Sequence, residues 1–138
     1  MAYINPITLN LSFCSGLCIY QGADWQLPVR LSNRIQTVDT PIDLTGFVGE
    51  CAIKQYCGDD EPIVMPTVTI TNATNGEFTI SLTAEQTSGM IAQGRTYKDV
   101  ATFQYDVNLI KSATGETYRV MQGSVDVSPS CLDSNDGE

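Results

Sequence analysis

The sequence predicts an all-β protein, an antiparallel β-sandwich with one short helix. Three observations carry this. Short runs of alternating apolar and polar residues recur along most of the chain, with the period of two that a half-buried strand requires. Turn signals such as Gly22-Ala-Asp24, Asn75-Gly76 and Thr114-Gly115 separate these runs, at intervals typical of a sandwich of roughly seven to nine short strands. Only one stretch, Thr83 to Gly89, carries helix signals.

The elements follow in order. Ile7, Leu9, Leu11 and Phe13 alternate with Thr8, Asn10 and Ser12, an amphipathic strand that Pro6 suits to a sheet edge. It is either the first strand of its own sheet, the simpler reading, or an arm that adds to a neighbour's sheet. Leu17 to Tyr20 is a short apolar strand. Trp25, Leu27, Val29 and Leu31 alternate with Gln26, Pro28, Arg30 and Ser32, and Pro28 points to an edge or a bulge. Asn33 to Pro41 reads as a polar connection, and Ile42 to Gly46 as a corner with two apolar anchors, Ile42 and Leu44. Phe47, Cys51 and Ile53 form an inward face, with Glu50 and Lys54 outward. Cys57 to Pro62 is a loop tip and Ile63 to Pro66 a connector.

The centre of the scaffold is Val68 to Ile91. Val68 and Ile70 form one strand face, and Phe78, Ile80 and Leu82 another. A two-residue Asn75-Gly76 loop would turn the two apolar sets to opposite faces, because directly opposed residues share a face. A three-residue loop, Thr74 to Gly76, sets Ile70 opposite Ile80 and Val68 opposite Leu82, with Gly76 left-handed in a bulge. Thr83-Ala-Glu-Gln86 is a capping box, and Gly89 ends the helix. Gln93 to Asp99 is a loop holding Tyr97. Phe103, Tyr105, Val107 and Leu109 give the clearest strand. In the last strand Tyr118 and Val120 are apolar at even positions, Val125 and Val127 at odd ones. One inserted residue near Gln122-Gly123 repairs the parity, with Leu109 opposite Val120, Tyr105 opposite Val125 and Phe103 opposite Val127.

At 138 residues the chain is one domain, or one domain plus arms: residues 1–18 an N-terminal strand or arm, 19–129 the sandwich, 130–138 an acidic tail. The net charge is −9 with only seven scattered basic residues, which argues against nucleic acid, whose phosphates need clustered Lys or Arg. No apolar run is long enough to span a membrane, and the N-terminus lacks a basic start followed by an apolar block. With five cysteines and no export signal, free thiols in a reducing cytoplasm are the expectation.

No reaction chemistry stands out. Histidine is absent, which removes the commonest general base and a frequent metal ligand. Cys14-x-x-x-Cys18 with Cys51 and Cys57 could form a four-thiolate zinc site. However, Cys51 lies on an inward strand face, where cysteine packs as a small apolar residue, and the Cys51–Cys57 spacing is poor. Asp59-Asp60-Glu61 lacks the alternating ligands of a calcium loop and reads as a solvated tip. Asp24-Trp25 could be a sugar platform, but Trp25 is in phase with the core face. Glu77 and Glu85 show no glycosidase pairing. The expectation is a non-enzyme with no cofactor and no metal.

One string resembles a known class. Gly22-Ala-Asp24-Trp25 leads through a strand to Thr40-Pro-Ile-Asp-Leu-Thr-Gly46-Phe47. Asn75-Gly76-Glu-Phe-Thr-Ile-Ser-Leu-Thr-Ala-Glu-Gln86, the Tyr105-Asp106 strand, Gly115 and Gly123-Ser-Val-Asp-Val-Ser-Pro129 follow. This resembles the small immunoglobulin-like β-sandwich structural proteins of tailed bacteriophages, including the N-terminal domain of baseplate upper proteins, over about Ile19 to Pro129. The resemblance implies a virion protein, assembled in the bacterial cytoplasm, that joins a tail or fibre component to its neighbours as a homo-oligomer or ring. A capsid decoration protein and a host-glycan-binding module are the alternatives. The two ends of the chain, residues 1–13 and 128–138, are then the expected docking arms. Their partner-binding candidates are Tyr3, Ile4, Ile7, Leu9, Leu11, Phe13, Pro129, Cys131 and Leu132.

Overall fold

A computed structural model describes residues 6–90 and 96–130. Two sheets enclose one core. In the first, β9 (Ala101–Lys111) lies between β6 (Phe47–Lys54) and β10 (Thr117–Ser128), antiparallel to both. The other edge of β10 carries β1 (Ile7–Thr8) and β2 (Ile19–Tyr20), each parallel to it. In the second sheet, β8 (Glu77–Leu82) lies between β3 (Trp25–Arg30) and β7 (Thr67–Asn72). The chain passes from β3 across to β6, back to β7 and β8, and over again to β9 and β10. With β3, β6, β7, β8, β9 and β10 taken as strands B to G in chain order, B, E and D lie in one sheet and C, F and G in the other, so the fold is an immunoglobulin-like β-sandwich. Pro28 lies on β3, at the edge of its sheet, where its missing donor costs no ladder bond.

The alternating residues identified in the sequence face inward. Trp25, Leu27, Phe78, Ile80 and Leu82 from one sheet meet Cys51, Ile53, Phe103, Tyr105, Val107 and Leu109 from the other. Gly49 lets the sheets close at one side, because a Cβ there would stand 2.4 Å from Val68 Cγ1.

The short helix α1 (Ala84–Ser88) has the expected capping box. Thr83 Oγ1 accepts from Gln86 N at 3.2 Å, and Thr83 N donates to Gln86 Oε1 at 2.9 Å. Its placement comes from Thr87, which is buried. Thr87 Oγ1 accepts from Gly22 N at 3.0 Å and donates to Ala23 O at 2.9 Å, while Asp24 Oδ1 accepts from Ala84 N at 2.7 Å. The helix is thus fastened to the turn that precedes β3.

Three expectations are corrected. In the central hairpin Val68 faces Ile80 and Ile70 faces Phe78, not Leu82 and Ile80. The correct faces meet, but two residues out of step. The reason is Asn72, whose Oδ1 accepts from Asn75 N at 3.3 Å and so starts a 3-10 turn over Ala73–Asn75. The loop therefore has four residues, and Thr71 is the unpaired one. Gly76 is left-handed as expected, with φ 72°.

In the β9–β10 pair, Leu109 faces Tyr118, Tyr105 faces Gly123 and Phe103 faces Val125. The register break lies between Arg119 and Met121, not at Gln122-Gly123. Val120 and Met121 both turn inward there, which absorbs the extra residue with two apolar side chains. Third, the stretch from Asn33 to Pro41 is not a plain connection. It forms a ribbon of β4 (Ser32–Ile35) and β5 (Val38–Pro41), turning at Gln36 with φ 59°.

Candidate partner-binding surface

The N-terminal arm lies in its own sheet. Leu9 N donates to Gln122 O at 2.9 Å, Leu11 N to Ser124 O at 2.8 Å, and Asp126 N to Leu11 O at 2.9 Å. Regular pairing is confined to Ile7 and Thr8, with a further bridge between Leu11 and Val125. Side chains add to this. Gln122 Nε2 donates to Thr8 Oγ1, Ser124 N to Asn10 Oδ1, and Phe13 N to Asp126 Oδ2. Tyr105, buried on β9, reaches through to donate to Leu9 O at 2.7 Å.

Gly123 makes the close approach possible. A Cβ at this position would stand 2.3 Å from Leu9 O, so the arm can cross β10 here only over a glycine. The sequence marked Gly123 as a bulge residue; its role is to receive the arm.

The candidate residues divide as follows. Leu11 is 2% exposed and belongs to the core of its own domain. Leu9 is half-buried against that core. Ile7 is 50% exposed. Phe13 is half-buried, and its ring stands 5.9 Å from that of Tyr97. Pro129 is half-buried at the far end of the sandwich. Tyr3, Ile4, Cys131 and Leu132 lie outside the described residues.

The C-terminal stretch is held by Gln21. Gln21 N donates to Ser128 O, Ser130 N donates to Gln21 Oε1, and Gln21 Nε2 donates to Met90 O. Ser128 Oγ donates to Tyr97 O at 2.7 Å. Ile7 pairs with Met121 and Tyr20 with Ser128, so the two described ends of the chain leave β10 roughly 23 Å apart, at 3.3 Å per strand residue.

Other candidates are not assembled. Cys14 and Cys57 are exposed while Cys18 and Cys51 are buried, all four as free thiols. Among the described residues no group of three or more Cys, Asp or Glu side chains is placed to hold a metal ion. Burial pushes the Cys51 thiol up to about 12, with the nearby Asp106 charge adding to the effect, so it stays a protonated core residue at neutral pH. Burial raises Tyr105 above the ordinary tyrosine range as well.

Trp25 is a core residue at 9% exposed, and Asp24 caps α1, so the pair makes no sugar platform. Tyr97 is 54% exposed, but Phe13 packs on its ring and Lys98 Nζ stands 5.8 Å from its centroid. In the acidic loop, Asp59 Oδ2 accepts from Tyr56 N, and Asp59 O accepts from Lys54 Nζ.

Two surface features carried no clear sequence signal. One is the β4–β5 ribbon, whose Val38 is 62% exposed. The other is a polar recess of about 240 Å³ on the outer face of the first sheet, lined by Ala52, Lys54, Gln104, Asp106 and Asn108 among others. Alternation along β9 marked these outward positions but not the recess, which depends on Ala52 lying opposite Asp106.

No protein-family model matches the chain, and no curated protein matches it.

Proposed function

We propose that this protein is a structural component of a tailed-phage virion, an adaptor that joins a tail, baseplate or fibre component to its neighbours. Its partners are other virion proteins and further copies of itself. One observation carries the proposal: the strings that resemble phage sandwich proteins fall on the turns and strands that build the immunoglobulin-like frame. Gly22 to Trp25 is the turn fastened to α1 and the start of β3, Ile42 to Phe47 the corner that leads into β6, Asn75 to Gln86 the β8 strand with its helix cap, and Gly123 to Pro129 the end of β10. The arrangement has the traits of a scaffold. Two sheets close on a single apolar core, and the four described cysteines are free thiols.

The test is to purify particles from an induced lysate and look for the chain by mass spectrometry and immunogold labelling. Gold at the tail tip at a few copies per particle supports the proposal. Gold over the head at hundreds of copies makes the protein a capsid decoration protein instead, and absence from particles overturns both.

A further inference from the structure

We infer that the N-terminal arm exchanges between copies of this chain, residues 7–11 of one copy taking the edge of β10 in another. The inference deepens the adaptor reading and rests on its view of the arm as a docking element.

The surface that receives the arm is built without it. The arm's backbone and side-chain hydrogen bonds run to Gln122, Ser124, Asp126 and Tyr105, all about a hundred residues away in the chain. A second copy presents the same edge, the same gap over Gly123 and the same pocket for Leu11. Exchange therefore replaces each bond with an identical one, which is why swapping of a terminal element is a low-cost route to association. The edge also needs an occupant. Without the arm, β10 would present a row of bare N–H and C=O groups beside a core opened at Leu11.

The link between the arm and β2 is suited to opening. Cys14, Ser15 and Gly16 are exposed. The turn is closed by bonds within itself, from Gly16 N to Phe13 O, from Leu17 N to Ser12 O, and between Ser12 and Ser15. Gly16 is left-handed, with nothing within 4 Å of where a side chain would stand. Drawn out, the six residues from Ser12 to Leu17 reach about 20 Å, enough to carry the arm off its own sheet. A reciprocal exchange closes a dimer, and a one-way exchange runs on into a chain of copies.

Two single-cysteine variants test this, T8C and Q122C, each in a chain with Cys14, Cys57 and Cys131 replaced by serine. Thr8 and Gln122 are register partners whose side chains already touch. One variant carries a mass tag. They are mixed at high concentration, warmed below the melting transition, cooled, oxidised and run on a non-reducing denaturing gel. Exchange predicts the mixed T8C–Q122C dimer almost to the exclusion of the like dimers, where random pairing of the two thiols would make it only about half of the cross-linked product. A statistical mixture in which like dimers make up about half of the product, like dimers alone, or no cross-link at any concentration overturns it. The double variant T8C/Q122C, oxidised when dilute, should close within one chain, which shows that the substituted protein folds with its arm on β10. The two proposals fail separately. Absence from particles removes the virion reading, and absence of mixed dimers removes exchange alone.

Discussion

Replacing Gly123 with alanine should release the arm and leave the sandwich standing. The backbone at Gly123 has φ +153°, and the new methyl would start 2.3 Å from Leu9 O and 2.9 Å from Leu9 C. Both neighbours are backbone, so no side chain can rotate away to make room. Moving the Leu9 peptide breaks the bond from Tyr105 Oη and strains the one from Leu9 N to Gln122 O. At about 1 kcal/mol net each, those two bonds are worth about 2 kcal/mol. Partial withdrawal of Leu11 from the core adds about 1–2 kcal/mol. The expected loss is therefore about 3–4 kcal/mol, read as a shift of the urea midpoint. Hydrogen exchange locates it: the amides of Leu9 and Leu11 should lose nearly all their protection, while those of Val107 and Ile80 stay protected, weakened by no more than the global loss. A G123A protein within about 0.5 kcal/mol of the parent, the ordinary range for a surface substitution, with both arm amides still protected, would refute the close-approach account.

Three further outcomes are expected. In alkali, the Cys51 thiol of the unfolded chain ionises from 9.0 upward while the folded one holds its proton to about 12. Stability should thus be full below pH 9 and fall by about 1.4 kcal/mol per pH unit above it; Cys51→Ala should flatten that slope in urea titrations at pH 8 to 10, below the range where the raised Tyr105 adds its own slope. Thr87→Val keeps the shape but leaves Gly22 N without its acceptor, at a cost of about 1–3 kcal/mol in the same unfolding assay. Gly76→Ala puts a methyl 2.4 Å from Leu31 O at a left-handed position, and adding about 1–2 kcal/mol of backbone strain to that clash should lower the melting temperature by several degrees, seen by circular dichroism.

Strand faces were legible in the sequence because a period of two is a local property. Which residues oppose one another was not. Sliding a strand by two residues preserves every face, so parity could not separate Val68 opposite Leu82 from Val68 opposite Ile80. The choice lay with the Asn72 side chain, which sets where the turn begins. The last strand shows the same limit. Its need for an inserted residue was readable, but the glycine that looked suited to a bulge is required by a strand 114 positions earlier, where Leu9 crosses. The β4–β5 ribbon left no alternation because its described side chains are nearly all exposed, and its turn uses neither Gly nor Asn. The arm was recognisable as an amphipathic strand, with Leu11 on its apolar face. That this face is filled mainly by the chain's own core depends on a parallel pairing with β10, for which the sequence has no local mark.

The parallel pairing has a mechanical consequence. Ile7 leads out of the sandwich toward the Thr117 end of β10, and Ser130 leads out beyond its Ser128 end. A chain pulled by these two ends would slide the arm along β10 in shear. The bonds at Leu9 and Leu11 then carry the force together, where a strand peeled from its end would lose them one at a time. The same edge that holds the arm is thus oriented to bear tension along the length of the molecule.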